Sequence, residues 1–182
     1  MREQEPFAVH LEVGGFRIAG TLEASPGGDR QQLLFFSEFK LKHAVRALLR
    51  HLLLTLANGG PVTTSVLTVG RDGPAVRILD PAGCAEARQA LEADLELFRI
   101  GLTHPLPFFE KASWKYREQD YDAARNAFDV SYKGSGATGD FDDPAVKQCY
   151  APEAFDDPDF EAEFIRCADT ILGAFPFREE EI

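Results

Sequence analysis

Between Leu41 and Leu56 the apolar residues fall at positions 41, 44, 45, 48, 49, 52, 53 and 56, the spacing of one buried stripe on an α-helix, and Asn58-Gly59-Gly60-Pro61 ends it. Strand-like segments flank this helix. Leu33-Leu34-Phe35-Phe36 is short and wholly apolar, which predicts a strand buried on both faces of a sheet. Val62 to Val69 and Ala75 to Leu79 are rich in β-branched residues and are joined by Gly70-Arg71-Asp72-Gly73, which predicts a hairpin with Gly at the turn positions. Upstream, Phe7, Val9, Leu11 and Val13 occupy every second position, Gly14-Gly15 follows, and Phe16 and Ile18 resume the alternation, so a first hairpin with a diglycine turn is predicted.

Past Leu79, Asp80 as cap and Pro81 as first helical residue predict a long helix to about Ile100, ended by Gly101. Pro105-Leu106-Pro107-Phe108-Phe109 is a rigid connector. Trp114 to about Tyr132 predicts one or two helices, and a last helix runs from Ala154 or Asp159 to Leu172. No repeat or linker divides the chain. Strands, helix, strands and then several helices imply a mixed α/β (α+β) layer fold, expected as one domain over residues 1–182.

The net charge of −11 argues against a nucleic-acid partner, because phosphate binding rests on Lys and Arg. Its distribution reverses that conclusion. Residues 1–60 carry 7 basic and 6 acidic side chains, whereas residues 118–182 carry 5 and 17. The acidity is thus confined to the C-terminal part, as a solvated face or as a surface that docks on basic protein. The three cysteines, Cys84, Cys149 and Cys167, are widely spaced and odd in number, which suggests neither a disulfide framework nor a zinc knuckle and predicts buried thiols. No apolar run is long enough to span a membrane, and Met1 to Pro6 has no signal-peptide character, so a soluble cytoplasmic protein is expected.

Hairpin, short strand and amphipathic helix resemble the opening of the restriction-endonuclease-like, PD-(D/E)xK nuclease core. There, carboxylates on adjacent strands hold Mg²⁺, and a Lys two residues after the second acid sits beside the attacking water. Residues i and i+2 of a strand share a face, so acid-x-Lys presents both groups to one phosphate. Gly20-Thr21-Leu22-Glu23 is similar to the first acid's motif. The second is replaced: Phe35-Phe36-Ser37 stands where acid-x-Lys would end the strand. Glu38-Phe39-Lys40 has the required residue types three positions late, and an odd slip turns side chains to the opposite face. Glu23, Glu38 and Lys40 are therefore vestigial catalytic candidates, with no catalytic residue and no metal assigned; an active Mg²⁺-dependent nuclease is the alternative.

The helix also places Lys42, Arg46 and Arg50 at i, i+4 and i+8, with Lys40, His43 and His51 nearby, on the side opposite its apolar stripe. These six residues are the DNA-binding candidates, suited to phosphate contact without sequence readout. Solvation of an amphipathic helix is the competing explanation. Lys133-Gly134-Ser135-Gly136-Ala137-Thr138-Gly139 matches G-x-G-x-x-G but lacks the following apolar helix, so it predicts a loop. The four histidines show no metal spacing, and Ser37 and Ser113 sit in no nucleophile elbow.

Two stretches resemble the C-terminal domain of the gamma subunit (RecC) of bacterial exodeoxyribonuclease V. Lys42-His43 through Ala47-Leu48-Leu49-Arg50-His51-Leu52 is similar to a helix of that family, with Ala or Leu where the family often has Trp. Leu97 through Trp114, with Gly101-Leu102, Pro105-Leu106-Pro107-Phe108-Phe109 and Trp114, resembles a second family motif. Asp143-Pro144-Ala145-Val146, Phe164 and Leu172 to Pro176 form a looser third echo. The resemblance implies a nuclease-like fold without its metal site and no cofactor. It also implies a piece of a longer subunit that scaffolds the helicase-nuclease RecBCD complex and guides DNA strands in double-strand-break repair by homologous recombination. The partners implied are the alpha and beta subunits (RecD and RecB) and DNA, with no membrane. A protein-binding module without DNA contact is a further alternative.

Overall fold

Gly14 and Gly15 adopt φ of 57° and 78°, the left-handed values that a tight hairpin turn requires, and they join β1 (Glu5–Val13) to β2 (Phe16–Ala24) in full antiparallel register from Glu5↔Ala24 to Val13↔Phe16. The computed structural model describes residues 3–71, 73–130, 138–173 and 176–180. After the hairpin come β3 (Arg30–Phe35), α1 (Leu41–Asn58), β4 (Thr63–Gly70) and β5 (Gly73–Leu79). β3 pairs parallel with β4 through the α1 crossover, and β4 pairs antiparallel with β5. α1 ends at Gly59, whose φ of 68° caps the helix by an N–H bond to Thr55 O.

The fold is mixed α/β, with a sheet flanked by helices. The backbone groups into two compact units, residues 1–96 with 174–182, and residues 97–173. The boundary falls inside α2 (Cys84–Gly101). In the first unit α1 is packed on both flanks. Leu49, Leu52, Leu53 and Leu56 meet Val13 and Ile18 of the hairpin and Ala87 and Leu91 of α2, while Leu54 meets Ala24 and Val62. This is a wider buried surface than one amphipathic stripe and accounts for the leucine density of residues 48–56.

The second unit contains α3 (Glu110–Glu118), α4 (Tyr121–Phe128), α5 (Pro144–Cys149) and α6 (Pro158–Gly173). Its core is aromatic. Phe109, Phe128, Phe155 and Phe164 are buried together, with Tyr116, Tyr121, Tyr150 and Phe160 packed around them. Chain continuity then returns to the first unit as β6 (Phe177–Glu180), antiparallel to β5, which completes the sheet order β3-β4-β5-β6.

Three expectations differ from the structure, and one strand was unforeseen. β3 is not buried on both faces: it is an edge strand, Leu34 is 40% exposed, and Phe36, just past its end, is 82% exposed. α2 begins at Cys84 and not at Pro81, because the Asp80 carboxylate binds Arg178 of β6 and the Glu86 carboxylate accepts the Gly83 N–H instead. Cys149 is exposed, whereas Cys167 is buried. β6 was not expected, since Phe177-Arg178-Glu179-Glu180 has no apolar alternation; it is held by pairing to β5 and by the Arg77–Glu179 ion pair. Among the G-x-G-x-x-G residues, Lys133 to Ala137 lie outside the described residues.

Candidate nucleic-acid interface

Because α1 is enclosed on both flanks, Lys42 and Arg46 are its only exposed residues, and Arg50, one turn further on, is half-buried. Successive residues differ by about 100° around a helix axis, so the position after each cation already faces inward. His43 and His51, predicted beside the cations on the solvent side, are instead buried, at 6% and 0% exposure. Lys40 is exposed and immediately precedes the helix in extended conformation, as expected of a turn into α1.

His43 closes the start of α1. Its Nδ1 accepts the Lys40 backbone N–H at 3.2 Å, its ring stacks on Phe35 with centroids 4.3 Å apart, and its Nε2 lies 3.4 Å from Ser37 Oγ. With Nδ1 occupied as an acceptor, the neutral ring carries its hydrogen on Nε2 and donates it to Ser37, whose own hydroxyl donates to Glu38 O at 3.3 Å. No imidazole lone pair faces the Ser37 hydroxyl, so the pair is not a nucleophile with its base. Burial is the first cause that lowers the His43 pKa, and the neighbouring Lys42 adds to it.

A second set of polar groups lies beneath Arg50. The Arg50 Nε–H donates to Gln31 Oε1 at 3.4 Å, Gln31 Nε2 donates to Thr64 Oγ1 at 2.8 Å, and Thr64 Oγ1 lies 2.9 Å from His51 Nδ1. Gln31 is 1% exposed and Thr64 is fully buried, so the chain is held inside between α1, β3 and β4. Burial pushes the His51 pKa down to about 4, leaving a neutral ring at physiological pH. Arg46 sits above the Phe35 ring, its guanidinium carbon 5.9 Å from the centroid. Two strand residues on one face, Gln31 and Phe35, thus lie under two helix residues four apart.

The two candidate acids have different neighbours. Glu23, at the end of β2, is close enough to Arg50 to favour its charged guanidinium, while Glu38 packs on Gly70 at the end of β4, where a Cβ would meet Glu38 Cγ at 2.9 Å. Among the described residues, no three His, Cys, Asp or Glu side chains form a metal-binding group.

The proline-aromatic stretch shows what its residues do locally. Pro105 is exposed, Leu106, Phe108 and Trp114 are half-buried, and Pro107 and Phe109 are buried. Phe109 is the hub of the aromatic core, with ring centroids 4.9 Å from Phe128 and 5.2 Å from Tyr150. Its backbone N–H donates to the buried Ser113 Oγ at 2.9 Å, closing the first turn of α3.

The family of RecC C-terminal domains matches residues 1–121, two-thirds of the chain, including both of these stretches. The chain belongs to that family. No curated protein matches it. Membership implies a role within the RecBCD (exodeoxyribonuclease V) assembly, in DNA repair, alongside that assembly's other subunits. The match ends at the start of α4, so the looser echo after Asp143 lies beyond it. Among the described residues of this RecC domain no helix is long and apolar enough to cross a membrane. Sequence reasoning missed Gln31 and Thr64, which belong to strands that read as apolar or β-branched; the available signal was that Gln31 shares a strand face with Leu33 and Phe35.

Proposed function

We propose that this domain is a non-catalytic scaffolding and DNA-guiding module of the exodeoxyribonuclease V gamma subunit, a restriction-endonuclease-like fold with a degenerate active site, acting in double-strand-break repair by homologous recombination. One observation carries the DNA-guiding part. Lys42, Arg46 and Arg50 rise at i, i+4 and i+8 along α1, and none forms an ion pair with any described acid, although the chain holds 30 acidic residues against 19 basic ones. Cations left unpaired in an acidic protein suit an external polyanion, and Phe35-Phe36-Ser37 in place of the acid-x-Lys motif supports the absence of cleavage. The acidic C-terminal segment is assigned to the alpha and beta subunits.

The test is a titration of the whole chain with labelled forked DNA between about 50 and 200 mM KCl, with Mg²⁺ or Mn²⁺ added and cleavage followed in parallel. Weak binding that loses affinity with salt, is reduced by Lys42→Ala and Arg46→Ala, and proceeds without cleavage is the expected result. Metal-dependent cleavage abolished by Glu23→Ala overturns it in favour of a nuclease. A protein-binding module without DNA contact is favoured by one observation, the 82% exposure of Phe36; that reading predicts no DNA binding even at the lowest salt.

A further inference from the structure

Arg50 differs from the other two cations in being held from below. An arginine on a surface helix samples many rotamers, and each must be given up when it binds. Here the Nε–H is committed to Gln31 Oε1, and Gln31 is itself fixed, because its other end donates to Thr64. Turning the Gln31 amide over would set its NH₂ against the Arg50 donor, so the orientation is determined by the bonds. Thr64 Oγ1, which accepts from Gln31, also lies 2.9 Å from His51 Nδ1 and is held by it in turn. The two terminal nitrogens of Arg50 remain, and they meet no acceptor among the described residues.

Arg46 stands next to it over the Phe35 ring, which is itself stacked on the buried His43. Partial burial lowers the Arg50 pKa, and the Arg46 charge lowers it further; Glu23 offsets this only in part. Two arginines four residues apart on one helix face, one over Phe35 and the other on Gln31, thus keep most of their donors unused, an arrangement that suits an anion.

We infer that Arg46 and Arg50 form one phosphodiester-binding fork, and that Gln31 is its positioning residue, acting through Arg50 and anchored by Thr64 and His51. This rests on the reading of α1 as DNA-facing and adds which phosphate contact is preorganised, and by what. Lys42, with no such support, contributes charge alone.

The experiment uses the whole chain and a fluorescein-labelled oligothymidylate, with affinity measured across a KCl series. Lys42→Ala is expected to lower the slope of log affinity against log salt by about 0.7, the loss of one single-strand phosphate contact. Arg50→Lys retains the charge without the fork, and Gln31→Met retains the shape without the acceptor. Each is expected to weaken binding by about five- to tenfold with the slope unchanged. Combined, the two are expected to lose no more than either alone, because Gln31 acts through Arg50. Additive losses would overturn the positioning role and leave Gln31 as a fold-supporting residue. Wild-type affinity in both single variants, with Lys42→Ala still weakened, overturns the fork but spares the DNA-facing reading. No binding by the unmodified chain removes both. Arg50→Lys is a half-buried helix substitution that leaves the core intact, so the fork remains testable if Gln31→Met fails to fold.

Discussion

Asp140 accepts the Ala112 backbone N–H through Oδ2 at 2.7 Å and also accepts the Lys111 N–H, so a carboxylate 28 residues away in sequence caps the first turn of α3. The side chain is 8% exposed. Asp140→Ala leaves buried donors unsatisfied and is expected to cost about 2 kcal/mol. Urea denaturation measures the loss, and hydrogen exchange at Lys111 and Ala112 locates it; an unchanged midpoint refutes the cap.

Phe109 and Phe36 are expected to respond oppositely to truncation. Phe109→Ala removes the centre of the aromatic core and is expected to cost about 3–5 kcal/mol. Phe36→Ser, at a side chain that is mostly solvated, is expected to shift stability by less than about 0.5 kcal/mol. Thermal unfolding of the two variants side by side tests the assignment of the core.

His51 and Asp94 give opposing pH dependences. The His51 pKa falls from 6.5 to about 4 on folding, through burial. Between those values the unfolded chain holds the proton and the folded chain does not. Stability therefore rises with pH across that window, by about 3 kcal/mol, and is lost as pH falls toward 4. Burial raises the Asp94 pKa from 3.8 to about 7, so the folded chain keeps a proton that the unfolded chain releases, and stability falls as pH rises from 3.8 to 7. The two nearly cancel between about pH 4 and 6.5. Asp94→Asn is expected to expose the His51 slope and to stabilise the protein above pH 7 by up to about 4 kcal/mol, which denaturant midpoints across pH check.

Thiol chemistry separates the cysteines. Cys149 is exposed and is expected to react with iodoacetamide in the folded protein, whereas Cys167 is buried, with its pKa raised by that burial, and reacts only on unfolding. Peptide mass spectrometry after a short pulse distinguishes them; equal labelling contradicts the packing of α6.

The hairpins and α1 were legible because their side-chain periods differ and Gly14-Gly15 and Gly59 mark their ends. The start of α2 was not, because the Asp80 and Pro81 start signal is outbid by Arg178, a residue 98 positions later. The histidines of α1 were misplaced for a related reason: a second buried flank is invisible when one stripe already accounts for the apolar residues. Lys42, Arg46 and Arg50 could be aligned from spacing alone, but the polar support under Arg50 depends on the register of β3 against β4. Asp140 lay within a stretch whose glycines suggested only a loop.

β6 gives the chain an order of completion. The first unit takes its last strand from residues 177–180, after the whole of the second unit has been made. During synthesis β5 therefore waits with one edge open while α3 to α6 emerge, and unpaired edges of this kind recruit other strands. A ribosome that stalls anywhere between Leu97 and Pro176 would release a nascent chain with that edge still exposed.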